Sequence, residues 1–254
     1  MEKPILINTI ANDSTLDKCK NIQIELMESP YAYKGKKVPR VTSILSYMLA
    51  EEYLITWANN VGLYQHKKHT EYQNKATMIG SNVHNAIERY IQGKELSDFQ
   101  NIRVKTDREK AIKSFNAFLD WWNVIEQNQH EVLLEEEPLI TSYCGGTLDL
   151  LMEINRNIFL IDFKTSSQLG FKYYLQLAAY RRMLYETLGI ICDGTVLLRL
   201  DKNNGRYEEQ VLLFSRYDDL KFMNQCDSAF ISLLYAYYNR FTVESALEER
   251  MIRS

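Results

Sequence analysis

Gly145-Gly146-Thr147-Leu148-Asp149-Leu150-Leu151-Met152-Glu153-Ile154, then Asn155-Arg156-Asn157, then Ile158-Phe159-Leu160-Ile161-Asp162-Phe163-Lys164, is the stretch whose reading decides the fold. Gly145 and Gly146 break the strand that precedes them. Thr147 to Ile154 reads as a strand, Asn155-Arg156-Asn157 as a turn, and Asn157 to Lys164 as the next strand. The hairpin lays the two strands together, so the carboxylates of Asp149 and Asp162 can meet at one end. Side chains alternate along a strand, so Asp162 and Lys164 share a face while Phe163 points into the core. Two carboxylates and a lysine suit a hard divalent cation, because Mg²⁺ takes oxygen ligands and keeps waters for phosphate. The lysine can hold or deprotonate a water beside such a metal. The backbone carbonyl of Phe163 is a further candidate ligand. The plain alternative is an exposed strand ion pair. Against it, Ile158 to Ile161 are apolar, and charges ending so apolar a strand are costly unless used.

Working outward, Val132 to Ile140 reads as the strand before this hairpin. Its acid run, Glu135-Glu136-Glu137, can place at most two carboxylates on one side, and one of them could support metal chemistry. Upstream, helices are expected from near Ile44 (capped by Thr42 or Ser43), over about 70–92, and over about 107–127. The middle one carries Val83, Ile87 and Ile91 at helical spacing and ends at Gly93. The last has a stripe of Phe115, Phe118, Leu119 and Trp122. Downstream, residues 168–188 are helical to Gly189, and strands 195–200 and 207–214 flank the turn signal Asn203-Asn204-Gly205. A helix over about 217–239 and a short one over 242–252 follow. Residues 1–35 are weakly patterned, with Ile22, Ile24 and Leu26 alternating like a half-buried strand.

The order of helices, β-meander, helix, hairpin and helix predicts an α+β fold with an α/β core in one domain over 1–254. Within it we expect a peripheral arm (1–35), a helical N-terminal lobe (36–130), a catalytic sheet and helix (131–215) and C-terminal helices (216–254). The composition agrees: 254 residues, 46% hydrophobic and 25% charged, exclude disorder as the overall state. Only 10 Gly and 4 Pro exclude collagen-like and low-complexity chains. A net charge of −3 and a pI of about 5.9 exclude a strongly basic DNA-coating protein. Metal-binding carboxylates can still offset a local basic track. Cys19, Cys144, Cys192 and Cys226 are too scattered for a zinc or iron–sulfur spacing and read as reduced thiols. No apolar run approaches the ~18 residues of a membrane span. No secretory or Arg-rich transit signal is seen, which points to the cytoplasm and to no membrane partner. There is no Walker A motif, so no ATP is expected.

His84, in Gly80-Ser81-Asn82-Val83-His84-Asn85-Ala86-Ile87-Glu88, precedes Gly146 to Asp149, then Asp162 to Lys164, then Gln176 to Tyr180. This ordered set resembles the PD-(D/E)XK nuclease superfamily in its RecB-like exonuclease branch, with its helical His, G-x-x-D, D-x-K and Q-x-x-x-Y. Val38 to Leu45, with Trp57, is similar to the mitochondrial genome maintenance exonucleases and their phage relatives, so the resemblance covers about 38–215. It implies a central mixed sheet of restriction-endonuclease-like type flanked by helices. It also implies a Mg²⁺- or Mn²⁺-dependent DNA exonuclease, favouring single-stranded ends, in replication, recombination or repair beside other proteins of those processes. Other readings are a structure-specific endonuclease of this fold and a non-catalytic nucleic-acid-binding module.

By the resemblance, His84, Asp149 and Asp162 hold metal, and Lys164 orients or activates water. Gln176 and Tyr180, at i and i+4 on one helix face, brace the site and contact DNA. Glu88, one turn after His84, is either a second metal ligand or a solvated helix acid. No iron–sulfur cluster is implied, because the four-cysteine pattern of some branches is missing. Lys34, Lys36, Lys37, Arg40, Lys67, Lys68, Arg181 and Arg182 are candidates for a phosphate track. Tyr64, Tyr72, Trp121 and Trp122 could stack bases, with core packing the alternative for Trp122.

Overall fold

The structure, a computed structural model, describes residues 28–49, 69–95 and 99–252. The expectations for Cys19, Ile22 to Leu26, Trp57, Tyr64, Lys67 and Lys68 lie outside them. The fold is α+β. In chain order the elements are β1 (Ala32–Tyr33), β2 (Lys36–Lys37), α1 (Val41–Met48), α2 (His69–Ile91) and α3 (Lys105–Ile125). Then come β3 (His130–Ile140), β4 (Gly145–Ile154), β5 (Asn157–Lys164), α4 (Phe171–Leu188), β6 (Gly194–Leu200), β7 (Tyr207–Leu213) and α5 (Tyr217–Ile252). Strands β3 to β7 lie in sequence order in one mixed sheet, antiparallel except for the β5–β6 pair. That parallel pair follows from the connection through α4, since a tight turn can join only antiparallel neighbours.

Local chemistry explains the turns. Asn155 and Arg156 both adopt positive φ, as a two-residue hairpin loop requires, and join Ile154 to its partner Asn157. Gly93 and Gly189 end α2 and α4 with φ of 64° and 71°. Around Gly205, the Asp201 carboxylate accepts the N–H groups of Asn203 and Asn204 and fixes the β6–β7 turn.

Helices cover both faces of the sheet. One apolar cluster joins α2 and α3 to Leu150, Met152, Ile161, Phe163, Val196 and Leu198. The other joins α1, α4 and α5 to Leu148, Leu151, Leu160 and Leu197. The helices expected to form an N-terminal lobe are therefore divided, α1 on one face and α2–α3 on the other. Three further boundaries differ from expectation. Helix α1 begins at Val41 with Arg40 at its N-cap and no side-chain cap bond, so Thr42 and Ser43 lie inside its first turn rather than capping a helix from Ile44. Gly145 and Gly146 begin β4 rather than interrupting the chain before it, because each makes room for a ring. A Cβ on Gly145 would stand 2.3 Å from the Tyr31 ring, and one on Gly146 would stand 2.4 Å from the Tyr180 ring. The C-terminal segment is one continuous helix, α5, rather than two.

The β3–β4 register shifts once between Val132 and Leu134, and the sheet gives way again further along. Leu150 and Met152 face the α2–α3 layer, yet Leu148 faces the opposite layer with Leu151. The alternation of β4 thus reverses at Asp149. Pairing between β4 and β5 ends beside it, at Leu150 and Ile161. In the neighbouring strand, Glu136 has φ of 43° between the rungs made by Glu135 and Glu137. A non-glycine residue with positive φ inside a strand is held there by its surroundings, and such strain clusters at functional sites.

Candidate active site

The broken rung opens a cleft of about 850 Å³ between α2, the end of β5 and the start of α4. Val83 and Ile87 anchor α2 on the core, which turns His84 toward the cleft together with Gly80, Ser81 and Glu88. Gly80 keeps α2 close to the segment after β5: a Cβ there would lie 3.3 Å from Thr165 Oγ1. The Phe163 ring, 2% exposed, packs edge-on against His84, Phe118 and Trp121. One residue on, Lys164 emerges on the opposite face, as the strand period requires.

His84 Nδ1 lies 3.5 Å from Asp149 Oδ1 and 3.8 Å from Glu136 Oε1. These three side chains can bring one ligand atom each within 4.8 Å of one another. Asp149 Oδ2 accepts the Phe163 N–H at 2.6 Å, tying the carboxylate to β5 where the ladder has ended. Lys164 Nζ stands 2.5 Å from Asp162 Oδ2, and 5.2 Å from the centroid of the Tyr173 ring. Asp162 is 1% exposed. Its Oδ2 is held by Lys164 Nζ, while its Oδ1 has no hydrogen-bond donor among the described residues. Gln176 Nε2 donates to Tyr180 Oη at 3.2 Å, across the helical turn that puts both on the buried face of α4.

The charges respond to this crowding. Burial disfavours charged His84, but Asp149 and Glu136 overcome it and raise its pKa to about 10. Burial likewise opposes the ionised form of Asp149, yet His84, Lys164 and the Phe163 N–H hold its pKa below the usual carboxylate range. Asp162 moves the other way: burial pushes its carboxyl up, Lys164 counters, and Asp149 adds to the rise. Lys164 is pushed up despite its burial, by Asp162 and Asp149 together, so it is a firm ammonium. Of the two roles open to it, holding a water suits that state and removing its proton does not.

The structure therefore brings His84, Asp149, Asp162, Lys164 and Gln176 to one place, with Tyr180 buried against Gly146 beside it. Phe163 also reaches the cleft, and so does Glu88, whose Oε1 accepts from Gln92 at 3.2 Å. Glu136 is the residue that sequence reasoning failed to single out. Its run offers three equivalent acids, and only the backbone twist at that rung selects the middle one.

The basic residues do not gather there. Lys37 donates to Ser29 O and Arg40 to Glu28 O; Lys34 lies over the Tyr33 ring, and Lys36 is exposed on β2. Arg181 stacks on Phe214, while Arg182 pairs with Asp227 and Glu186; both tie α4 to the elements after it. None of the six lines the cleft. Trp121 and Trp122 are core residues, 2% and 6% exposed, which leaves no face for a base. No described helix is long and apolar enough to cross a membrane. No family model matches the chain, and no curated protein matches it.

Proposed function

We propose that this chain is a Mg²⁺- or Mn²⁺-dependent deoxyribonuclease of the PD-(D/E)XK type, an exonuclease favouring single-stranded DNA ends in replication, recombination or repair. The mixed sheet is, on this reading, a restriction-endonuclease-like core. One observation carries the proposal: the buried Asp162 carboxylate, held by Lys164 on one oxygen and without a donor on the other, lies behind a cleft lined by Lys164 and His84, with Asp149 against His84. Buried carboxylates are costly unless paired or put to use.

The donor set fits a hard divalent cation: the Asp149 and Glu136 carboxylates and the His84 imidazole bring ligand atoms together, and Asp162 nearby has an oxygen without a donor. Asp149, Asp162, Glu136 and His84 would hold it, with the Phe163 carbonyl as a further ligand. When bound, such a cation neutralises charge on a phosphodiester and makes a water more acidic. The chain's own residues do the positioning. Lys164, fixed by Asp162 and the Tyr173 ring, orients a water toward phosphorus and donates to a phosphoryl oxygen. Gln176 and Tyr180 brace the wall beneath. Hydrolysis adds water across the P–O bond and leaves one phosphate terminus and one hydroxyl terminus.

Preference for ends rests on the resemblance to exonucleases and is tested directly. End-labelled linear single strands, circular single strands and duplexes are incubated with Mg²⁺, with Mn²⁺ and with chelator. Divalent-dependent loss of the linear single strands is expected. Equal cutting of circles overturns the exonuclease assignment in favour of an endonuclease. No cleavage under any condition overturns the enzyme assignment in favour of a binding module.

A further inference from the structure

The cleft has a second charged feature, which the acid–lysine centre does not use. Lys202, on the turn between β6 and β7, and Lys172, in the first turn of α4, both line it. Both are half-buried, and neither makes an ion pair or hydrogen bond with the described residues. The nearest acid to Lys202 is already committed. Asp201 accepts the N–H groups of Asn203 and Asn204 and pairs with Arg199 at 2.9 Å. Arg199 also meets Glu208 at 2.8 Å, so that acid too is taken. The other charge beside Lys202 is Lys110 on α3, of the same sign. Burial and Lys110 disfavour the charged form of Lys202 more than Asp201 favours it, and an anion in the cleft would offset them.

The turn that carries Lys202 is firmly held. Asp201 N–H donates to Arg206 O, and Gly205 N–H donates to Asp201 O, both at 2.9 Å. Lys113 Nζ clamps Asn203 O at 2.8 Å, and Ser114 Oγ clamps Leu200 O at 3.0 Å, so α3 fixes the turn from behind. A rigid turn therefore presents an unpaired lysine to a cleft whose other wall, on α2, is small and polar: Thr77, Gly80, Ser81 and Asn85. Such side chains can hydrogen-bond phosphate and sugar oxygens.

We infer that Lys202, with Lys172, forms a second phosphate subsite in this cleft, gripping the backbone of the nucleic-acid strand whose scissile phosphate lies at Asp162 and Lys164. This rests on the nuclease reading and adds to it the residues that hold the strand.

Binding of a labelled oligothymidylate is measured by anisotropy in chelator, where no cleavage occurs, across a salt series. Each lost lysine–phosphate contact lowers the slope of log K against log salt by about 0.7 for a single strand. Lys202→Gln should lower it by about 0.7 and the double variant Lys172→Gln/Lys202→Gln by about 1.4. Lys202→Arg should keep the slope, and so should Lys105→Gln, which removes an exposed lysine at the start of α3 away from the cleft. An unchanged slope in Lys202→Gln, with wild type binding and cleaving, overturns this inference alone. Wild type that neither binds the strand nor cleaves it with Mn²⁺ overturns the nuclease reading, and this inference with it. Binding of a mononucleotide with the same dependence on Lys202 also overturns it, because one phosphate would then suffice.

Discussion

Replacing Gly146 with alanine tests whether the glycine of the G-x-x-D motif is a matter of space. The added Cβ would stand 2.4 Å from Tyr180 Cε1 and 3.0 Å from both Cζ and Oη. Carbon atoms in a packed core rest at about 3.5–4.0 Å, so the ring must retreat by more than about 1 Å. It has little room, since Tyr180 is 4% exposed, sits on the buried face of α4 and is held by Gln176. Overpacking of this kind costs about 1–3 kcal/mol, and the contact puts this case at the upper end, about 3 kcal/mol. For a chain of this size that corresponds to a fall in Tm of about 6–12 °C. Urea denaturation should show a lower midpoint with an unchanged slope. Tyr180→Leu in the Gly146→Ala background should recover part of the loss, giving a favourable coupling between the two sites. Gly146→Ala within about 0.5 kcal/mol of wild type would refute the steric account, since that is the range of an ordinary surface change.

Asp162→Ala and Lys164→Ala should both abolish cleavage but part company in Mn²⁺ titration calorimetry. Loss of Asp162 weakens metal binding, whereas loss of Lys164 removes a neighbouring cation and leaves affinity equal or higher; wild-type cleavage by Lys164→Ala would remove it from the mechanism. His84, raised to about 10 in the fold, contributes stability that is complete below pH 6.5 and declines as pH rises toward 10. Thermal melts of the metal-free protein against His84→Gln should therefore converge as pH rises over that window; a constant gap would refute the assignment. Phe118→Ala, at the centre of the aromatic cluster behind Phe163, should cost about 3–5 kcal/mol in chemical denaturation, far more than any exposed aromatic would.

Local chemistry was enough for much of this molecule. The alternation of Ile158 to Lys164 put Asp162 and Lys164 on one face, and they are paired there at 2.5 Å. The Asn155-Arg156 and Asn203-Asn204-Gly205 turns, the glycine ends at Gly93 and Gly189, and the apolar spacing around His84 all act within a few residues, which is the range that a pattern in sequence records. What the strand period could not carry was its own failure. The reversal of β4 at Asp149 and the positive φ of Glu136 arise where three strands, α2 and α4 crowd one rung, and no residue on that rung is of an unusual type. That crowding selects Glu136 from three adjacent acids; Trp121 goes into the core with the face of α3 that packs on Phe163, and Gly145 and Gly146 begin a strand because the Tyr31 and Tyr180 rings lie against them. Lys202 and Arg182 show the same division. Both are basic residues in polar stretches; Lys202 is left unpaired in the cleft because its neighbour Asp201 is taken by Arg199 and by the turn, whereas Arg182 is committed to Asp227 of the distant α5.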